Sequence, residues 1–127
     1  MTRKIIYSSD APEPAGPYNK AFLDGRFAFT AGQIPINSDT GQVVEGNFQD
    51  HVEQVFRNLD AVIEAGCTEL SSILTMTVFP TDLSRFSTVN EVFSDQFKGI
   101  EPPARSVVEV AGITMNADIE IECIALV

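Results

Sequence analysis

Across 127 residues the sequence holds one histidine, two cysteines and no tryptophan. With His51 alone, a histidine-rich zinc site is excluded, and any Ser-His-Asp arrangement would have to use that one ring. Cys67 and Cys123 stand too far apart for a metal or redox motif, so they are expected to be two buried thiols in a reducing compartment. Basic residues are scarce: 8 Lys+Arg against 18 Asp+Glu leave a formal charge of −10. Such a surface repels phosphate backbones and anionic lipids, which argues against nucleic-acid and membrane partners. No apolar run approaches the ~20 residues of a membrane span. The segment Met1–Tyr7 lacks the apolar stretch of a signal peptide, and Asp10 and Glu13 do not suit a transit sequence. A cytoplasmic protein is the expectation, with a mitochondrial location left open. There is no phosphate-cradling glycine loop, no repeat and no linker composition, so residues 1–127 read as one domain.

What is present is a regular alternation of elements. Three prolines and a glycine between Pro12 and Pro17 predict an extended loop that delivers Tyr18. Two short apolar runs, Ala21–Leu23 and Phe27–Ala31, flank Asp24-Gly25, a two-residue hairpin signal. From Asn47 to Gly66 the spacing of Phe48, Val52, Val55, Phe56, Leu59, Val62 and Ile63 predicts an amphipathic helix. Asn47 and Asp50 echo a capping box, and Gly66 is a natural stop. A strand is predicted over Ile73–Phe79, a second helix over Ser84–Lys98, and two strands over Arg105–Ala111 and Asp118–Val127. This order predicts an α+β fold: a mixed sheet with both helices on one face, its other face left for water or another subunit.

The last two strands carry the polar chemistry. Ile119, Ile121, Cys123 and Ala125 alternate with Glu120 and Glu122. In the preceding strand Val108 and Val110 alternate with Arg105, Val107 and Glu109. Placing the valines and isoleucines under the helices puts Arg105 on the opposite face with the glutamates. That face is either a solvated array of ion pairs or a pocket in which Arg105 clamps a carboxylate and a glutamate handles a water proton. Seven of the nine phenylalanines, Phe22, Phe27, Phe29, Phe79, Phe86, Phe93 and Phe97, are expected in the core rather than as a base-stacking platform, with Phe86 able to reach the site.

Gly16-Pro17-Tyr18, Gly32-Gln33-Ile34-Pro35, Val78-Phe79, Asn90, Pro103-Ala104-Arg105-Ser106, Val108-Glu109-Val110 and Ile119-Glu120-Ile121-Glu122 run in one order along nearly the whole chain. In these the sequence resembles the Rid family of small deaminases, also called the YjgF/YER057c/UK114 family. The resemblance implies a chorismate-mutase-like fold of the bacillus type, assembled as a homotrimer with sheets inward, helices outside and three sites between subunits. It implies hydrolysis of short 2-imino acids, such as those derived from serine and threonine, to 2-keto acids and ammonia, with no cofactor and no metal. Arg105 matches the arginine that binds the substrate carboxylate, and Glu120 the glutamate that activates water. Tyr18 matches a tyrosine near the substrate, and Gly32 a position whose N–H faces the imine. Asn90 and Phe86 fall in the same substrate-binding set.

Two positions depart from the family pattern. Ala31 stands where a serine is common, which removes a hydroxyl. Val107 stands where a cysteine is common, which is harmless only if that position acts through its backbone N–H. A ribonuclease or translation inhibitor, and a non-enzymatic ligand-binding or holdase-like trimer, are the alternative readings. The acidic charge opposes the first, while Ala31 and Val107 favour the second.

Overall fold

The computed structural model describes residues 3–66 and 68–127, so the expectation for Cys67 lies outside the described residues. Six strands form one sheet: β1 (Lys4–Ile6), β2 (Ala21–Asp24), β3 (Phe27–Thr30), β4 (Ile73–Pro80), β5 (Ala104–Val107) and β6 (Ile119–Leu126). Their spatial order is β1-β2-β3-β6-β4-β5; β4 and β5 are parallel and every other pair is antiparallel. The three-residue edge strand β1 was not anticipated.

Between β2 and β3 the turn falls one residue later than expected. Asp24 pairs with Phe27, leaving Gly25 and Arg26 as the loop, and Gly25 takes a φ of 61°. Helix α1 (Phe48–Ala65) matches its sequence signals closely. Asn47 Oδ1 accepts from the Asp50 N–H and Asp50 Oδ2 accepts from the Asn47 N–H, both at 2.9 Å, a complete capping box. Helix α2 (Phe86–Gln96) is shorter than expected, because Leu83–Arg85 forms a separate 3₁₀ turn capped by Asp82.

Both helices lie on one face of the sheet. Val52, Val55, Phe56, Leu59, Val62 and Ile63 of α1 and Val89, Val92 and Phe93 of α2 share one core with Met76, Val78, Ile119, Ile121, Cys123 and Ala125. Phe56 meets the Phe93 ring edge-on, with centroids 5.0 Å apart. His51 ties α1 to the start of β6: Nδ1 lies 2.9 Å from Asp118 Oδ1, and Nε2 lies 2.9 Å from the Val44 carbonyl. Among the described residues, no helix is long and apolar enough to cross a membrane.

Helices do not cover the other face. There Phe27 and Phe29 remain 42% and 43% exposed, which corrects the expectation that they are core residues. They alternate with Ala28, and it is Ala28 that faces the helices.

Candidate active site

Residues paired across a sheet point the same way, so the register decides which side chains can meet. Glu120 pairs with Phe79, between the buried pairs Ile119–Pro80 and Ile121–Val78, and so points to the uncovered face. Arg105 pairs with Met76, which pairs with Cys123, and both are buried under the helices. Arg105 and Glu120 of one chain therefore lie on opposite faces of the sheet, which corrects the expected common face. The misplacement has a physical cause. Strand β5 is at the sheet edge, where helix cover tapers, so valines occur on both of its sides. Val107 packs against the core, whereas Val108 is exposed. The strand is also shorter than expected, although the Val108 and Val110 N–H groups still donate to the Val78 and Pro80 carbonyls.

On the uncovered face, Glu120 stands in a cleft with Tyr18, Lys20, Gly32, Gln33 and Thr114. The cleft opens because β3 parts from β6 after the Phe29–Ile124 pair. The Thr30 hydroxyl accepts the Cys123 N–H at 3.0 Å in place of a backbone carbonyl, and the chain returns to β6 only at Gln33. There Gln33 and Ile121 exchange two backbone hydrogen bonds of 2.8 and 3.0 Å. Gly32 is thereby pressed against Glu120, and a Cβ at position 32 would sit 2.7 Å from the Glu120 carboxyl carbon. A side chain at that position would have to push the Glu120 carboxyl aside. Ala31 donates its N–H to the Lys20 carbonyl, and the proline loop folds back so that the Tyr18 hydroxyl accepts the Ala15 N–H at 3.0 Å. Burial raises the Glu120 carboxyl above the usual glutamate value, with the neighbouring Glu122 charge adding to it.

At the far edge, a second cleft is lined by Asn90, Phe93, Pro102, Pro103 and Arg105. Asn90 Oδ1 accepts from Arg105 Nη2 at 2.8 Å, and the guanidinium lies 4.7 Å from the Phe93 ring centre and 5.4 Å from that of Phe86. Burial lowers the Arg105 pKa from its ordinary value without removing its charge at neutral pH. The Val108 and Val110 N–H groups bond inward to β4, so by alternation those of Arg105 and Val107 point out from the edge. Val107 can thus serve through its backbone.

The sequence-derived residues divide into two sets: Tyr18, Ala31, Gly32 and Glu120 on the uncovered face, and Phe86, Asn90, Arg105 and Val107 at the β5 edge. Lys20 and Thr114 were missed, as was the contact of Phe93 with Arg105. A lysine entering a strand beside Ala21 was the one available signal for Lys20. Among the described residues, no group of three His, Cys, Asp or Glu side chains is arranged to hold a metal ion.

The fold recurs in known proteins. A family model described as Endoribonuclease L-PSP matches residues 8–127. The solved structure of a Rid-family protein of Yersinia pestis, YyfA, superposes with a TM-score of 0.96 at 40% identity, covering 99% of this chain and 100% of that one. The structure of E. coli TdcF with bound serine superposes at 0.93 and 37% identity, over 98% of each chain. A 2-iminobutanoate/2-iminopropanoate deaminase of Dermatophagoides farinae is 35% identical over 125 residues, 98% of this chain and 97% of that protein. With a six-stranded mixed sheet, two helices and matches that run almost end to end, this chain belongs to the Rid/YjgF/RutC family.

Proposed function

We propose that the protein is an enamine/imine deaminase hydrolysing short-chain 2-imino acids, and that its sites form between subunits of a homotrimer. The observation that carries this reading is the division of the site: Arg105 and Glu120 each line a cleft, on opposite faces of one sheet. The Glu120 cleft has no guanidinium fork and the Arg105 cleft has no carboxyl to act as base, and packing uncovered faces together gives the exposed Phe27 and Phe29 a partner. The Arg105 edge of one copy then meets the Glu120 cleft of the next.

In such a cleft the Arg105 guanidinium holds the substrate carboxylate in two parallel hydrogen bonds, with Asn90 occupying one of its remaining donors. The Val107 N–H, pointing off the strand edge, adds a neutral donor. Among the described residues no acceptor takes the Gly32 N–H, which leaves it for the imine nitrogen or the product carbonyl. Glu120 takes a proton from water as the water oxygen bonds to the imine carbon. That proton passes to the imine nitrogen to give an amino alcohol; Glu120 then relays the hydroxyl proton to the same nitrogen as the carbon–nitrogen bond breaks, so ammonia and a 2-keto acid leave. General acid–base assistance of this kind contributes ~10²–10⁴-fold, which suits a reaction that already proceeds in water. No step calls on the serine hydroxyl replaced by Ala31 or the thiol replaced by Val107.

The alternatives have less support. RNA cleavage would need phosphate-binding cations on a chain of charge −10. A purely ligand-holding trimer was favoured by Ala31 and Val107, but Val107 is compatible with a backbone role and the mechanism above uses no hydroxyl at position 31. With 2-iminobutanoate generated in situ by an amino-acid dehydratase, wild-type protein is expected to speed decay to the keto acid and Arg105→Ala to leave it at the buffer rate. Wild-type-like activity in Arg105→Ala overturns the mechanism.

A further inference from the structure

Lys20 is a buried cation in the Glu120 cleft that the deaminase mechanism does not use. Only 4% of it is exposed. Its ammonium donates to the Ser8 carbonyl, to the Ala11 carbonyl at 2.9 Å and to Glu13 Oε1 at 3.3 Å, and lies 5.1 Å from the Tyr7 ring centre. An ammonium has three donors, and these three partners divide into two kinds. Ser8 and Ala11 are main-chain acceptors that fix where the charge sits. Glu13 is 71% exposed, and its contact is longer than the ~2.7–2.9 Å of a tight charge-assisted bond. A solvated carboxylate at that distance is easily exchanged for another.

Glu13 and Lys20 line the same cleft as Gly32, Thr114 and Glu120. The cleft is therefore furnished with a preorganised cation whose third donor already holds a carboxylate belonging to the chain. We infer that Lys20 is a second carboxylate anchor, that Glu13 occupies it in the free protein, and that the site accepts 2-imino acids whose side chain ends in a carboxylate. This rests on the deaminase reading and adds a substrate class to it. Charge makes the point sharper: a dianion approaching a protein of net charge −10 needs two fixed cations. Arg105 would take the carboxylate beside the imine carbon and Lys20 the distal one. A purely structural Lys20, pinning the 8–18 loop, would instead affect short and acidic ligands alike.

Product binding separates these cases without relying on turnover. Calorimetric Kd values are measured for 2-oxobutanoate and 2-oxoglutarate, and their ratio is the quantity read. Lys20→Met is expected to shift the ratio about tenfold against 2-oxoglutarate, the loss of one hydrogen bond to a charged group. Glu13→Gln, which removes the competing charge at an exposed position, is expected to shift it about fivefold the other way. A ratio within twofold of wild type in either variant overturns the inference. Failure of the deaminase reading registers separately, as wild-type protein that leaves 2-iminobutanoate decay at the buffer rate. Should Lys20→Met not fold, Glu13→Gln alone decides.

Discussion

The two clefts are built by different means. At the β5 edge, side chains do the positioning: Asn90 and Phe93 on α2 fix the guanidinium of Arg105 from two directions. On the uncovered face, backbone does it. The Gln33–Ile121 bridge and the absence of a Cβ at Gly32 set where Glu120 stands, while a proline loop supplies the wall. Chemistry explains the division. Under the proposed function, a cation that grips a planar anion needs a fixed fork, whereas a carboxyl that exchanges protons needs partial burial and room for water.

Several experiments break or sharpen this contrast. The largest effect concerns whether the clefts work together across subunits. Arg105→Ala and Glu120→Gln are each expected to lose at least ~100-fold in imine hydrolysis. Random co-assembly of equal amounts of the two should restore about a quarter of wild-type activity, half the Arg105 edges times half the Glu120 clefts. No recovery in verified mixed oligomers would place both groups' work within one chain. Next comes Gly32→Ala, whose new Cβ must displace Glu120; a loss of about 100-fold in kcat is expected, with little change in KM. A fall in KM alone would contradict the backbone-built cleft. Asn90→Ala removes the acceptor that holds Arg105 Nη2 and should raise KM about tenfold with a smaller effect on kcat.

The pH profile gives a finer test. As a base Glu120 must be ionised, and burial holds its pKa above the ordinary glutamate value of 4.5. Activity should therefore fall, as pH is lowered, through a midpoint above that value. A profile flat down to ordinary glutamate titration would remove Glu120 as the base.

The smallest effect is a control outside both clefts. Burial, with the charge of Glu64 one turn away, raises Asp60 from 3.8 to about 6. Between those values the folded chain holds a proton that the unfolded chain has released, so this group's contribution to stability falls as pH rises through about 6. Asp60→Asn should thus raise Tm at neutral pH by about 4 °C, after discounting for solvent screening, and the gain should vanish in acid below the unfolded value. Catalysis should be unchanged.

Much of this architecture was legible in the sequence because one face of each long element is wholly buried. The three- and four-residue spacing of α1 and the strict alternation of β6 report a single covered side, and both were read correctly. The β5 segment Arg105–Val110 offered valines at positions of either parity, so its alternation carried no information about side. Only the register with Met76 and Val78 resolved it. Tyr18, Gly32, Arg105 and Glu120 were identified as candidates, but their distribution over two faces was not, since facing depends on pairing between segments far apart in the chain. Lys20 stayed hidden because two of its three partners are backbone carbonyls, which leave no mark on residue identity.

The paired hydrogen bonds of Gln33 and Ile121 bear on how such a protein can diversify. They join main chain to main chain, so Gly32 and Glu120 stay neighbours whichever side chains occupy the two linking positions. Cleft walls can then be rewritten by substitution in the 12–18 loop or around Thr114 without disturbing the contact between Gly32 and Glu120. Variation is free at the rim and anchored at the hinge of the chemistry.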